Sequence, residues 1–134
     1  MLNMLLEKTA YKFSILIVPL LLLSGCGQRK QDTGYYTTDY EVLCSMVKDV
    51  NVSDGVNKNE AAVLANAYYR RFAVIACGGI APIVDMQDYW DIPVAVGIVG
   101  QPFGSIKIDK QTAKMSWEHG PTIEEPVKYF CSKR

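Results

Sequence analysis

The chain has 134 residues with 14 basic and 14 acidic side chains, so its formal charge at pH 7 is zero. This length accommodates one domain rather than two. Because nucleic-acid binding requires a basic surface, the balanced charge predicts that the protein has no nucleic-acid partner. The single histidine and the four cysteines have no metal-ligand spacing, which predicts no metal site and no cofactor.

The first 25 residues have the organisation of a secretion signal. Lys8 and Lys12 precede an apolar segment, Phe13–Leu23. This segment has the length of a signal-peptide core, roughly 7–15 residues. It is shorter than the about 20 residues that a membrane-spanning helix needs. The sequence therefore predicts a signal peptide at residues 1–25 and no transmembrane anchor.

A cysteine follows the apolar segment in the sequence Leu23-Ser24-Gly25-Cys26, which resembles the lipobox of bacterial lipoproteins. The resemblance implies a diacylglyceryl group on the Cys26 sulfur and cleavage before this residue, so that acyl chains anchor the mature protein to a membrane. With glycine rather than aspartate at position 27, it also implies the periplasmic side of the outer membrane, or the outer face of a single-membrane cell. The alternative is an ordinary signal peptide cleaved near Gly25.

Cleavage before Cys26 would leave 109 residues with 12 basic and 13 acidic side chains, because the leader holds two lysines and one glutamate. Residues 26–37 are polar, which predicts a lipidated tether. In the alternative, Tyr35 and Tyr36 already pack on the domain. The remaining residues, 38–134, form one predicted domain.

Three further cysteines lie in the mature chain: Cys44, Cys77 and Cys131. An oxidising envelope predicts one structural disulfide among them, and their spacing leaves all three pairings open. The chain has no CxxC motif, and its only histidine is His119, so no neighbour is evident that would activate a thiol. We therefore predict a domain that is not an enzyme and has no catalytic residues.

The domain is predicted to begin with a short amphipathic helix over residues 38–50. Thr38 and Glu41 have the spacing of a capping box. Four apolar residues then recur at helical spacing: Leu43, Met46, Val47 and Val50.

A longer helix is predicted to follow. Asn57 and Glu60 repeat the capping signature, and apolar residues keep a helical period through residues 61–76. The sequence Cys77-Gly78-Gly79 is expected to end this helix. Two arginines in its last turns suit the negative end of the helix dipole: Arg70 and Arg71.

After the glycines the pattern is typical of strands. The predicted strands are Ile80–Val84, Trp90–Val99 with an edge or bulge at Pro93, Gly104–Asp109, and Met115–Glu118 after a turn at Lys110–Lys114. The order predicts an α+β fold in which amino-terminal helices pack on a small antiparallel sheet.

Residues 57–122 resemble the NTF2-fold immunity proteins of bacterial toxin systems. The resemblance is carried by the alanine-rich helix, the "YW" that opens a strand, the "GSIKID" strand and the turn "DKQTAK". It implies an NTF2-like, cone-like fold and a protein partner, a cognate toxin or effector that the domain would bind and neutralise. The family turn usually has glycine where this chain has Ala113, so a positive φ there would strain the alanine by about 1 kcal/mol.

Two segments are candidate partner-binding surfaces. The first is "DMQDYWD", in which Asp85, Asp88, Tyr89 and Asp91 could mimic a polar or acidic substrate of a toxin. We interpret Trp90 as a core residue. The second is "SWEHGPTIEEP", with Glu118 and His119.

Two other classes of function share the lipidated leader. One is a structural or assembly lipoprotein of the outer membrane or cell wall. The other is a small envelope protein that binds a ligand in the pocket that NTF2-like cones often enclose.

Overall fold

A computed structural model describes residues 36–74 and 78–132. In chain order the elements are α1 (Tyr40–Val47), a 3-10 turn (Val52–Asp54), α2 (Lys58–Phe72), β1 (Gly78–Ile80), β2 (Val84–Asp85), β3 (Tyr89–Val96), β4 (Gln101–Asp109), β5 (Met115–Trp117), β6 (Gly120–Ile123) and α3 (Pro126–Ser132). All strand pairs are antiparallel, which confirms the predicted α+β class. The helices are not all amino-terminal as predicted, because α3 follows the sheet.

Helix α1 begins later than predicted because Asp39, and not Thr38, is its N-cap. The Asp39 carboxylate accepts hydrogen bonds from the backbone amides of Glu41 at 2.9 Å and Val42 at 3.4 Å. A carboxylate satisfies these free amides and also suits the positive end of the helix dipole. The helix ends at Val47, earlier than predicted.

Helix α2 begins as predicted and ends early. The Asn57 side chain accepts from the Glu60 amide at 3.0 Å, and the Glu60 carboxylate accepts from the Asn57 amide at 3.0 Å, which confirms the capping box. The helix ends at Phe72, because Ala73 already has the extended angles φ −86° and ψ 92°. The predicted end at residues 77–79 is therefore wrong.

The two glycines after α2 belong to strand β1 instead. A Cβ on Gly78 would lie 2.6 Å from the carbonyl oxygen of Ala95 and 2.9 Å from the hydroxyl of Tyr69. Glycine is thus required at this position by the close approach of neighbouring strands and helix, and not by a helix end. Residues 75–77, which the prediction assigned to the helix and its end, lie outside the described residues.

The sheet has the strand order β1-β3-β4-β5-β6, and β2 also pairs with β3. The predicted strand Ile80–Val84 is divided between the end of β1 and the start of β2. Strand β3 ends at Val96, and the predicted continuation to Val99 forms a turn over residues 97–100 instead. Strand β6 and helix α3 were not predicted.

A bulge lies beside Pro93, as its position in the sequence predicts. Pro93 pairs with Ser105, whereas Ala95 pairs with Pro102, so β4 carries one extra residue at this point. Gly104 supplies a positive φ of 71° there. The strand that contains Pro93 lies inside the sheet and not at its edge.

The turn between β4 and β5 is organised by an aspartate. The Asp109 carboxylate accepts from the amides of Gln111 at 2.8 Å and Thr112 at 2.7 Å. The next residue, Ala113, has φ 64° and is buried. The positive φ expected from the usual glycine at this position is therefore present, and the chain adopts it with an alanine.

The three helices and one face of the sheet enclose a single apolar core. Strands β3 and β4 alternate between buried and more exposed residues. The core contains Leu43, Val47, Leu64, Tyr68, Trp90, Ile92, Ile106, Ile108, Met115 and Phe130, among others. The opposite face of the sheet, which carries Tyr89, Asp91 and Lys107, is called the outer face below. Within the described residues, no helix is long and apolar enough to cross a membrane.

A disulfide joins Cys44 of α1 to Cys131 of α3, with the two Cα atoms 4.7 Å apart. This is one of the three pairings that the sequence left open. It covalently links the first and last helices of the domain through two cysteines that are 87 positions apart in sequence.

Candidate binding surface

One end of the sheet is formed by the β2–β3 connection and the β4–β5 turn. Asp85 forms an ion pair with Lys110, whose ammonium group also donates to the carbonyl of Met86. The backbone amide of Lys110 donates to the carbonyl of Asp88 at 3.0 Å. These contacts hold the two connections together, and Asp85, Asp88, Tyr89 and Asp91 are called the acidic end below.

The aspartates of the acidic end differ in their surroundings. The carboxylate of Asp85 is compensated by Lys110, whereas Asp88 is exposed and has no ion pair within the described part of the chain. Asp91 lies opposite Lys107 in the β3–β4 pairing. The acidic end is therefore of mixed charge, which gives it a defined charge pattern rather than a uniform negative potential.

The two aromatic residues of the acidic end have different roles. Trp90 is buried, and its indole nitrogen donates to the carbonyl of Val56 at 2.7 Å, which confirms it as a core residue. The Lys110 ammonium lies 4.4 Å from the centroid of this indole. Tyr89 is half-buried on the outer face, and the Lys107 ammonium lies 5.6 Å from its ring centroid. Tyr89 is thus the aromatic side chain that the acidic end presents.

The second candidate segment forms the β5–β6 turn. The imidazole of His119 stacks on the ring of Phe103, with the centroids 3.9 Å apart and the planes 10° apart. The indole of Trp117 lies edge-on to His119 and donates to the carbonyl of Phe103 at 3.1 Å. His119 therefore extends an aromatic cluster to the surface instead of standing alone.

Glu118 is fixed against strand β4. Its carboxylate accepts from the backbone amide of Ser105 at 3.0 Å. Hydrogen bonds from its own amide and from that of Ser105 lower the pKa of Glu118. The two following glutamates of the segment form ion pairs elsewhere, Glu124 with Lys114 and Glu125 with Lys128.

The structure does not bring the two candidate segments into one cluster. Asp91 lies in β3 opposite Lys107, whereas Glu118 contacts Ser105 from the far side of β4. Strand β4 thus separates them. In the part of the chain that the structure describes, no group of three or more His, Cys, Asp or Glu residues is placed to hold a metal ion.

Arg71 forms a cluster that the sequence did not reveal. Its guanidinium donates to the hydroxyl of Tyr40 at 3.0 Å and to that of Tyr36 at 3.4 Å. The hydrogen bond to Tyr40 raises the pKa of Arg71. The amide of Thr37 also donates to the carbonyl of Arg70 at 2.7 Å. Tyr36 and Thr37 therefore pack on the domain, and the predicted tether ends before them; Tyr35 and the rest of the tether lie outside the described residues.

The predicted lipidation site, Cys26, and the third cysteine, Cys77, also lie outside the described residues.

In comparisons with known proteins, no protein-family model matches the chain, and neither a curated protein nor a solved structure shows significant similarity to it.

Proposed function

We propose that this protein is a lipid-anchored lipoprotein of the bacterial envelope that binds and neutralises a toxin or effector, as an immunity protein does. In this proposal the domain is NTF2-like, and it acts as a non-catalytic binding module. The long α2 packed on an antiparallel sheet that carries a β-bulge supports the finer fold. The lipid on Cys26 would station the domain on the periplasmic side of the outer membrane, where such toxins arrive.

The observation that carries the proposal is the acidic end. Its charged and aromatic side chains are held on strands and on two connections joined through Lys110. Groups on rigid elements bind with little loss of conformational entropy. A half-buried aromatic such as Tyr89 beside the exposed carboxylate of Asp88 is the composition of an interface centre with a polar rim.

Export is supported by two independent features. The leader ends in the lipobox Leu23-Ser24-Gly25-Cys26, and the domain contains the Cys44–Cys131 disulfide. Disulfides persist in oxidising compartments such as the periplasm. Both features favour a protein that works outside the cytoplasm.

The test measures the survival of attacked cells and the capture of an effector by the protein. Cells that lack the protein should lose viability when mixed with a toxin-delivering sister strain, and the full chain should restore it. The detergent-extracted lipoprotein should then retain one effector from the attacked cells. The double substitution Asp88→Ala/Tyr89→Ala should weaken this capture by about tenfold or more, since interface anchors contribute about 1.4 kcal/mol or more.

The matched control is Glu41→Ala/Ser45→Ala, which alters two exposed residues of α1 on the helical layer. It should leave capture unchanged. Full resistance of the deletion strain to every sister strain would contradict the proposed function. Equal capture by both double variants would place the interface away from the acidic end.

A further inference from the structure

The turn between β3 and β4 carries two aliphatic side chains in water. Ile98 is 82% exposed and Val99 is 91% exposed. The flanking Gly97 and Gly100 have positive φ values of 74° and 68°. Because water disfavours exposed aliphatic surface, these two adjacent residues form a small apolar patch that contact with an apolar environment would stabilise. These four residues, 97–100, are called the apolar tip below.

The hairpin segment that carries the apolar tip is itself uncharged, and the nearest carboxylate packed on it is Glu118, at Ser105. From Ile92 to Ile106 the sequence contains no Asp, Glu, Lys, Arg or His. The other end of the same two strands carries the acidic end together with Lys107 and Lys110. The β3–β4 hairpin is thus apolar at its tip and charged at its base.

The chain enters the domain on the same side as the apolar tip. The amide of Thr37 donates to the carbonyl of Arg70 in the last turn of α2. The hydroxyl of Tyr69, the adjacent residue, lies beside Gly78, which pairs with Val96. Val96 directly precedes the apolar tip. A short series of contacts therefore connects the end of the tether with the apolar tip.

We propose that the apolar tip inserts into the bilayer to which Cys26 anchors the protein, so that the domain has a second membrane contact. This inference rests on the lipid anchor of the proposed function. The nine residues between Cys26 and Tyr36 span about 35 Å at most when extended. The anchor thus holds the domain close to the lipid surface. There, transfer of each aliphatic side chain from water into lipid would raise the equilibrium constant for contact roughly tenfold or more.

The charge distribution favours an anionic bilayer over a protein as the occupant. The tether carries Arg29 and Lys30 against the single acidic residue Asp32, and Arg70 and Arg71 lie where the tether meets the domain. Basic residues near an anionic lipid surface are attracted to the headgroups. The acidic end is repelled by the same surface only through Asp88, because Asp85 is paired with Lys110 and Asp91 lies opposite Lys107. Both effects orient the apolar tip towards lipid.

This orientation would direct the acidic end away from the membrane. Strand β3 runs from Tyr89 at the acidic end to Val96 at the apolar tip, a distance of about 23 Å at 3.3 Å per residue. The proposed toxin-binding surface would therefore stand clear of the lipid headgroups and face an arriving effector.

The test compares two tryptophan substitutions in the full lipidated chain. Ile98→Trp places an indole at the apolar tip, and Met86→Trp places one beside the acidic end, also at an exposed position. Each variant is reconstituted into vesicles of phosphatidylethanolamine and phosphatidylglycerol with brominated acyl chains, which quench an indole in contact with them. The unsubstituted protein supplies the emission of Trp90 and Trp117, and circular dichroism checks the fold.

The fluorescence of the indole added by Ile98→Trp should shift to shorter wavelength, and the brominated lipid should quench most of its intensity. The fluorescence of the indole added by Met86→Trp should be quenched little. Equal quenching of both, or of neither, would overturn the inference. Protection of the tip from aqueous iodide without quenching by lipid would also overturn it, because a protein partner or second copy would then cover the tip. Mass spectrometry of the same sample separates the two proposals: an intact lipid with an unquenched tip would refute the membrane contact alone, and a bare Cys26 thiol would refute the anchor and the contact with it.

Discussion

At the level of single residues, two adjacent tyrosines of α2 differ in their hydrogen bonding. The hydroxyl of Tyr68 donates to the carbonyl of Pro121. The hydroxyl of Tyr69 is buried and has no hydrogen-bond partner among the described residues. Burial raises the pKa of Tyr69, which is the expected effect of removing a phenol from water. A buried polar group without a partner costs about 1–3 kcal/mol.

The two tyrosines should therefore respond oppositely to removal of the hydroxyl. Tyr69→Phe should raise the free energy of unfolding by about 1 kcal/mol, because it removes an unpaired polar group. Tyr68→Phe should lower it by about 1 kcal/mol, because the Pro121 carbonyl loses its donor. Urea unfolding followed by circular dichroism measures both. A loss of stability in Tyr69→Phe equal to that in Tyr68→Phe would contradict the assignment.

Asp109 should make the β4–β5 turn sensitive to acid. Hydrogen bonds from the amides of Thr112 and Gln111 hold the pKa of Asp109 below its usual value. A carboxyl whose pKa is lowered by folding stabilises the native state above its unfolded pKa, near pH 4, and this contribution is lost as pH falls through the folded pKa. The turn should thus be most stable at neutral pH.

The substitution Asp109→Asn tests whether the negative charge of Asp109 stabilises the turn at neutral pH. The amide keeps an acceptor oxygen but no charge, so unfolding free energy should fall by about 1 kcal/mol at pH 7. The difference from the unsubstituted protein should shrink as the pH is lowered below about 4. Asp88→Asn, at an exposed aspartate without an ion pair in the described residues, is the control. A constant deficit of Asp109→Asn at all pH values would show that charge is not the cause.

At the level of secondary-structure elements, the disulfide should contribute more to stability than any single side chain. It joins α1 to α3 across 87 residues. In the chain-entropy description a loop of this length stabilises the folded state by about 4–5 kcal/mol, and measured values are often about 2–4 kcal/mol. The helices also pack through other core residues, so the fold does not depend on the bond alone.

Replacement of both cysteines, Cys44→Ala/Cys131→Ala, should therefore lower the free energy of unfolding by about 3–4 kcal/mol. Denaturation with and without a reducing agent measures the effect. The unsubstituted protein should lose stability on reduction, and the double variant should not change. A reductant effect of equal size in both would mean that this disulfide is not the stabilising bond.

The sequence predicted those elements that have strong local signals. The reciprocal cap of Asn57 and Glu60 and the buried Trp90 were predicted correctly, as was a bulge beside Pro93. Ala113 was identified as a position of positive φ through the glycine usual in the resembling turn, and not through its own chemistry. The cap depends on residues close in sequence, and Trp90 and Pro93 carry strong signals of their own as a large aromatic in an apolar strand and a residue without a backbone donor, so sequence patterns report them.

The misassigned elements depend on distant contacts. The sequence predicts that Gly78 ends a helix. In the structure this position requires glycine because a Cβ would clash with the carbonyl oxygen of Ala95 across the sheet. Helix α3 is only seven residues long and begins with Pro126, so its propensity alone is weak, and it is held by the disulfide and by Phe130 in the core. The candidate surface shows the same limit: the sequence grouped residues by segment, and only the fold shows that Lys110 contacts Asp85 and that His119 stacks on Phe103.

At the scale of the whole molecule, the domain has two unlike ends. The acidic end presents Asp88 and Tyr89, and the apolar tip presents Ile98 and Val99. The chain enters at the carboxyl-terminal end of α2, where Thr37 contacts Arg70 and the Tyr69 hydroxyl lies beside the strand pair that leads to the apolar tip. The proposed functions of the two ends are therefore compatible, because a partner and a membrane would occupy opposite sides of the domain.

The bond between Cys44 and Cys131 also determines how the domain carries mechanical load. If a protein fused after α3 were pulled away from the proposed lipid anchor, tension on the tether would reach Cys44 after only about one turn of α1. From there the disulfide transmits the force directly to Cys131, 87 positions further along the sequence. The segment between the two cysteines is a closed ring, so the force cannot extend it. A protein fused after α3 could thus be pulled against the proposed lipid anchor without unfolding the sheet.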